Sequence, residues 1–140
     1  MEIIYNYQLA LHPIKFNSSE DAYNCLLKAY DMRKIGFKEM FYVHLLNHAN
    51  YCLGVSQIGL GSTSGVVVNY KEIFQLAIKT NATGIILSHN HPSGNCKPSD
   101  ADISITQKLK VASEYMDLKL LDHLILTSEG YLSLADEGLF

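Results

Sequence analysis

Segments with the periodicity of β-strands alternate along this sequence with segments of helical periodicity. Residues 2–11 alternate apolar and polar positions, as a half-buried strand does. Ser18, with an acidic residue three positions on, resembles a helix-capping pair, and apolar positions then recur at helical spacing until Gly36. Strand-like runs follow over residues 37–46 and 51–60, and the polar turn between them predicts a hairpin.

The second half of the sequence continues this alternation. Its predicted elements are a loop over residues 61–65, a helix from Asn69 to about Lys79, a short buried strand over residues 84–87, a helix opened by Ser99 and Asp102 whose apolar positions run to Met116, and a closing hairpin over residues 118–134. Helices interleaved with strands predict an α/β sandwich, in which helices cover a mixed, mostly antiparallel sheet. We expect a single domain over residues 1–140, with residues 1–17 as an N-terminal arm or edge strand.

Composition narrows the classes of function. The chain has 140 residues, 48% of them hydrophobic, which suits one buried core. Its 11 Lys and Arg against 14 Asp and Glu provide no basic surface for a phosphate backbone, so nucleic acid is not the expected partner. Without a signal peptide or an apolar run of about 18 residues, we expect a cytoplasmic protein that does not enter membranes. Cys25, Cys52 and Cys96 lack CxxC spacing, so we expect reduced thiols.

The candidate metal-ligating side chains lie in a polar run that follows the predicted strand over residues 84–87. His89 and His91 stand at positions i and i+2 of an extended segment, so both imidazoles point to the same side. Asp102, in the first turn of the next helix, can supply a third ligand. Two histidines and one carboxylate leave a fourth position open, which is typical of catalytic zinc.

Simpler explanations exist for some of these residues. Asp102 with Ser99 satisfies a capping pattern without any metal. Ser99 could both cap the helix and donate its hydroxyl to an oxyanion. Cys96 lies in the same loop, and we interpret it as an ordinary thiol because zinc already has three ligands. Surface or core positions are favoured over ligand roles for the histidines that lack such spacing, which are His12, His44, His48 and His123.

A metal-activated water needs a base, and Glu39 is the preferred candidate. On the strand interpretation it shares a side with apolar residues, where an unpaired carboxylate is costly. Glu72 is the rival, but it stands three residues after Asn69 and is explained as a cap residue.

The spacing of these residues resembles the JAMM motif of MPN-plus metalloproteases, a glutamate upstream of His-x-His, seven residues, Ser, two residues and Asp. His89, His91, Ser99 and Asp102 match that spacing, and Glu39 stands at the position of the family's glutamate. The resemblance supports the choice of Glu39 over its rival.

More narrowly, the run from His89 to Gly94 followed by Pro98 and Ser99 is similar to the signature of the bacterial RadC-like JAB/MPN family, historically labelled DNA repair proteins. The similarity extends over residues 18–134. It implies a cytidine-deaminase-like α/β/α sandwich, one Zn²⁺ per chain, and hydrolysis of a peptide or isopeptide substrate. The sequence shows no helix-hairpin-helix region of the kind that longer members carry, so we do not expect direct DNA binding.

Two hypotheses of different classes follow. The first is a zinc-dependent metallopeptidase or isopeptidase, with Glu39 and Ser99 as catalytic residues and with His89, His91 and Asp102 as zinc ligands. The second is a non-catalytic, metal-stabilised module for protein binding or DNA repair. Because all the motif positions are present, the sequence favours the hydrolase.

Overall fold

The computed structural model of the chain describes residues 13–62, 65–66 and 68–140. Within these ranges the helices are α1 (Ser19–Ala29), α2 (Tyr70–Lys79) and α3 (Asp100–Tyr115), and the strands are β1 (Met40–Leu46), β2 (Cys52–Ser62), β3 (Gly65–Val66), β4 (Gly84–Asn90), β5 (Lys119–Thr127) and β6 (Gly130–Ser133). The strand predicted over residues 2–11 lies outside the described residues and stays a prediction.

The described strands form one mixed sheet in the order β3-β2-β1-β4-β5-β6. Among them only β4 and β5 run parallel, and the other neighbours are antiparallel. A parallel pair needs a crossover connection, and α3 supplies it. The predicted α/β class with a mostly antiparallel sheet is confirmed.

Helices cover both faces of this sheet. Side chains alternate across β1, so Tyr42 packs with Leu26 of α1 in one core, while Val43 packs with Ile73 of α2 and Leu109 of α3 in the other. Every residue of β1 and of β4 is buried, because these central strands have a helix layer on each side. The layers are therefore those of the expected α/β/α sandwich.

The first helix is shorter than predicted. Ser18 caps it as expected, through its side chain and the Asp21 backbone N–H, but the helix ends at Ala29 and not at Gly36. The Asp31 carboxylate accepts the Arg33 backbone N–H at 3.1 Å, and this local bond competes with helix formation. Turns therefore fill the segment that leads to β1.

Three strand boundaries also differ from the prediction. β1 begins at Met40, so Glu39 lies just before the strand and not inside it. β4 continues past Leu87 to Asn90, because backbone pairing with β1 and β5 does not require apolar side chains. Gly61 and Ser62 belong to β2, since they pair with β3, and not to a loop.

The beginning of the described chain lies along β2. The Phe16 N–H donates to the Asn50 carbonyl at 2.9 Å, and the Cys52 N–H donates to the Ile14 carbonyl at 2.8 Å. Lys15 and Tyr51 thus form a short antiparallel bridge at the start of β2. In the ranges that the structure describes, no helix has the length and apolar character needed to cross a lipid bilayer.

We expect the core between α3 and the sheet to supply much of the stability. Leu109 is fully buried, so Leu109→Ala should lower the free energy of unfolding by about 2–5 kcal/mol. Val111 on the same helix is exposed, and Val111→Ala should change it by about 0.5 kcal/mol or less. Urea denaturation followed by circular dichroism measures both. Equal losses in the two variants would contradict this packing.

Candidate metal centre

The end of β4 carries the two motif histidines. His89 lies in β4 between Phe41 of β1 and Ile125 of β5, and its nearly buried ring stacks on Phe41. His91 follows the strand, and its backbone N–H donates to the Leu126 carbonyl at 2.8 Å, which prolongs the pairing with β5. The extended backbone brings both rings to the same side, as the His-x-His spacing predicts.

The first turn of α3 brings Asp102 to these rings. His89 Nε2 and His91 Nε2 are 3.0 Å apart. Asp102 Oδ1 is 3.1 Å from His89 Nε2, and Asp102 Oδ2 is 3.3 Å from His91 Nε2. Two imidazole nitrogens and a carboxylate therefore converge on one point.

These separations can be compared with the size of a metal site. In a tetrahedral zinc centre with bonds of about 2.0–2.1 Å, neighbouring ligand atoms lie about 3.3 Å apart. The donor atoms of His89, His91 and Asp102 have this spacing to within a few tenths of an ångström. Imidazole and carboxylate are also ligands that zinc accepts. The residues present therefore fit the ion that the sequence predicts.

Glu39 lies near the same two histidines. Its Oε1 is 4.0 Å from His89 Nε2, and its side chain is 29% exposed, against 1% for His89. Glu39, His89 and His91 can each offer one ligand atom within 4.8 Å of the others, so these three residues form a possible metal-binding group. Of the two carboxylates, Asp102 is closer to the histidines and Glu39 is more open to solvent.

The charges in the site reinforce this arrangement. Burial raises the pKa of the Asp102 carboxyl, but its close contacts with His89 and His91 and the hydrogen bond from the Ser99 backbone N–H outweigh burial and hold this pKa far below its usual range. The bond with Asp102 in turn raises the pKa of His91, against the smaller effect of burial. Asp102 is therefore ionised at neutral pH, with both oxygens available as acceptors.

The loop after β4 fixes the orientation of the His91 ring. His91 Nδ1 lies 2.7 Å from the Asn95 carbonyl oxygen, which can only accept a hydrogen bond. Nδ1 therefore carries a proton, and Nε2 is the His91 nitrogen that faces the site and can bind a metal. The loop can turn back towards His91 because Gly94 adopts a φ of 84°, a conformation that glycine allows without strain. The turn after β4 thus holds a candidate ligand.

Ser99 has the capping role that its sequence position predicts. Its side chain accepts the Asp102 backbone N–H at 3.1 Å, and the Asp102 carboxylate accepts the Ser99 backbone N–H at 2.7 Å. These two bonds form a capping box at the start of α3. The box also orients the Asp102 carboxylate, so capping and placement of a candidate ligand are the same contact.

Asn90, between the two histidines, faces the opposite side of the sheet. Its amide donates to the carbonyls of Ile35 at 2.9 Å and Lys38 at 2.7 Å, and its carbonyl oxygen accepts the Met40 N–H at 2.8 Å. These bonds secure the backbone on both sides of Glu39. The sequence did not indicate this role, because nothing in the local spacing links Asn90 to a segment so distant along the chain.

A second interaction that sequence reasoning missed lies behind His89. His89 Nδ1 is 2.8 Å from Nε2 of His123, and His123 Nδ1 is 2.6 Å from the Thr106 hydroxyl. A register shift in β5 explains why His123 faces this way: Ile85 pairs with Leu120, but the next residue of β4 pairs with Asp122. From that point the alternation of β5 is reversed, so simple periodicity places His123 on the wrong face.

The remaining candidates lie elsewhere. Asn69 caps α2 by accepting the Glu72 N–H at 3.2 Å, as predicted, and among the described residues the possible metal group includes Glu39 and not Glu72. The Cys96 thiol is 3.7 Å from the Thr127 hydroxyl, which agrees with its interpretation as an ordinary thiol. His44 is fully buried beside Phe16 in the other core, and His12 lies outside the described residues.

Comparison with known proteins gives a family match over almost the whole chain. Residues 16–139 match the model of the RadC-like JAB domain. The chain is 41% identical over 126 residues to a UPF0758 protein of Flavobacterium johnsoniae, an alignment that covers 90% of this chain and 54% of the relative. It is 37% identical to a UPF0758 protein of Clostridium acetobutylicum, with the same coverage. The chain thus spans about half the length of the curated relatives it matches.

We expect the buried Asn90 contacts to contribute more to the free energy of unfolding than similar contacts that are exposed to solvent. Asn90→Ala leaves three backbone groups near Glu39 without a partner, at about 1–3 kcal/mol for each group that stays buried. Asn47 also accepts two backbone N–H groups, but in an exposed turn where water can replace it, so Asn47→Ala should cost less. Urea unfolding compares the two variants. Equal destabilisation would contradict the assignment of a buried clamp to Asn90.

Proposed function

The chain belongs to the RadC-like JAB domain family, and from the geometry of its site we propose that it is a zinc-dependent hydrolase of peptide or isopeptide bonds. Members of the JAB domain family include zinc hydrolases. The observation that carries the proposal is the convergence of His89, His91 and Asp102 at separations of 3.0–3.3 Å. We assign one Zn²⁺ per chain to these three residues.

Zinc held by three protein ligands leaves one position for water or substrate, and there it acidifies water and polarises a carbonyl group. The protein contributes by orienting its ligand atoms before zinc binds. His91 already presents Nε2, and the Asp102 carboxylate is ionised and oriented by the capping box. Little rearrangement is needed for zinc to bind, which favours affinity.

Glu39 has the position of a proton carrier. Its carboxylate is near His89 without reaching the short distances of Asp102, and it is open enough to meet water or substrate. In amide hydrolysis it would take a proton from the attacking water at Oε1 and deliver it to the leaving nitrogen. The Asn90 clamp on the flanking backbone limits where this carboxylate can move.

Ser99 is the candidate for stabilising negative charge on the substrate oxygen. Its Oγ accepts the Asp102 N–H, and a serine hydroxyl that accepts one bond still has its own hydrogen to donate. Ser99 caps α3 beside Asp102, and from this position its hydroxyl would donate to the oxygen of a carbonyl group polarised at the centre. Capping and oxyanion stabilisation are therefore compatible in one side chain.

Peptide and isopeptide bonds are the proposed substrate class because the motif resembles that of JAMM metalloproteases. Direct binding of DNA is not part of the proposal, since the formal net charge of −3 offers no general attraction for phosphates.

Metal content tests the ligand assignment. We expect the purified protein to contain about one zinc per chain, and the double variant His89→Ala/His91→Ala to lose it, because only one of the three ligands then remains. His48→Ala is the matched control, because His48 is an exposed histidine in the β1–β2 turn and should leave zinc content unchanged. Elemental analysis by mass spectrometry measures all three proteins. Zinc retained by the double variant at wild-type occupancy would contradict the assignment.

The Glu39→Gln variant tests the hydrolase itself. Glutamine keeps the shape of the side chain but cannot take a proton, so hydrolysis should fall about 10²- to 10⁴-fold while zinc content stays the same. Glu72→Gln, in the first turn of α2, is the control and should keep full activity. The assay uses a fluorogenic peptide library together with isopeptide-linked peptide conjugates. If zinc-loaded wild type cleaves none of these substrates, the non-catalytic module becomes the better account.

A further inference from the structure

We propose that His123 is a positioning residue for the metal centre, which together with Thr106 holds His89 in the tautomer whose Nε2 lone pair faces the ion. This inference rests on the proposed metal centre but concerns residues outside the motif. It is carried by an unbroken series of short contacts, from His89 through His123 and Thr106 to the backbone of Asp102.

The direction of the hydrogen bonds can be derived from the end of the series. The Thr106 hydroxyl is 2.6 Å from the Asp102 carbonyl oxygen, which can only accept, so the single hydroxyl hydrogen points there. The Thr106 oxygen must then accept from His123 Nδ1, also 2.6 Å away. His123 therefore carries its proton on Nδ1.

His123 can hold only one proton in its surroundings. It is completely buried, and its two ring nitrogens face Thr106 and His89, neither of which is a carboxylate that could balance a positive charge, so the neutral ring with one proton is favoured. With the proton on Nδ1, Nε2 is a lone-pair acceptor, and it lies 2.8 Å from His89 Nδ1. His89 must then donate from Nδ1, which leaves His89 Nε2 free of hydrogen and directed at His91 and Asp102.

The opposite direction would be unfavourable for metal binding. If every proton in the series moved to the other side of its bond, His89 would carry hydrogen on Nε2, where it would donate to Asp102 Oδ1. Thr106 would then have to turn its hydrogen away from the Asp102 carbonyl and towards His123. The series thus couples two candidate ligands, since Thr106 bonds to the backbone of one and His123 to the side chain of the other.

Burial makes these contacts hard to replace. His89 is 1% exposed, and His123 and Thr106 are fully buried, so water does not readily take the place of a missing partner. A donor left alone on His89 Nδ1 keeps the full cost of its desolvation. Removing the acceptor on His123 should therefore weaken zinc binding without removing any ligand.

Zinc affinity of the full chain, measured by competition with a chromophoric chelator, provides the first test. His123→Phe keeps a ring but removes the acceptor, and it should weaken zinc binding about 10- to 100-fold. His123→Gln places an amide oxygen near the position of Nε2 and should recover most of that loss. If the His123→Phe and His123→Gln variants bind zinc equally well, or if His123→Phe binds zinc as tightly as wild type, the proposal is overturned.

Two substitutions at Thr106 provide an independent test in case a His123 variant does not fold. Thr106→Val should weaken zinc binding, and Thr106→Ser, which keeps the hydroxyl, should restore it. Thr80→Val is the matched control, because the Thr80 hydroxyl also donates to a helix carbonyl, that of Leu76 at 2.8 Å, but in α2. The control should keep wild-type zinc affinity. If Thr80→Val weakens zinc binding as much as Thr106→Val does, the proposed role of the His89–His123–Thr106 series is overturned.

Nuclear magnetic resonance of the zinc-loaded protein with ¹⁵N-labelled histidine reads the tautomer directly. Wild type should show a protonated His89 Nδ1 with a scalar coupling to His123 Nε2 across the hydrogen bond. If the protein binds zinc but His123 Nε2 carries the proton, this inference fails and the proposed function stands. If wild type takes up no zinc, the proposed metal centre fails and this inference fails with it.

Discussion

The position of β4 between β1 and β5 is the constraint on which the rest of the site depends. Pairing on both sides keeps the backbone extended through Asn90, so successive side chains must point to opposite faces of the sheet. His89 is therefore turned towards α3, and Asn90 towards the segment that carries Glu39. The end of β4 thereby has two roles. It supplies an imidazole to the candidate centre, and it holds the backbone on both sides of Glu39, the proposed base.

The start of α3 imposes the second requirement. A helix N-terminus needs acceptors for its free N–H groups and favours negative charge, and the capping box of Ser99 and Asp102 meets both needs. The same box leaves the Asp102 carboxylate facing His89 and His91. Helix capping, burial of a carboxylate and ligand placement are therefore satisfied together, and the site is largely formed by contacts within the protein itself.

The sequence predicted the parts of this arrangement that local spacing encodes. His-x-His on an extended segment and Ser-x-x-Asp at a helix start each have a geometry that follows from a few neighbouring residues. Glu39 needed the family resemblance as well, because its distance from the histidines is set by strand pairing. His123 was interpreted as an ordinary surface or core histidine because it lacks the His-x-His spacing. The register shift in β5 that turns it towards His89 leaves no signal in the local sequence. The early end of α1 was missed because the turns that follow Ala29, with the bond of the Asp31 carboxylate to the Arg33 N–H, have no apolar pattern that marks them.

The central claim is that two imidazoles and a carboxylate hold one zinc ion at this strand end. X-ray absorption spectroscopy at the zinc edge, on protein loaded with one equivalent of zinc, tests it most directly. The account predicts four light ligands at about 2.0–2.1 Å, with the multiple-scattering pattern of two imidazoles. A sulfur ligand at about 2.3 Å, or a spectrum without imidazole scattering, would contradict it, because zinc would then be held by other residues.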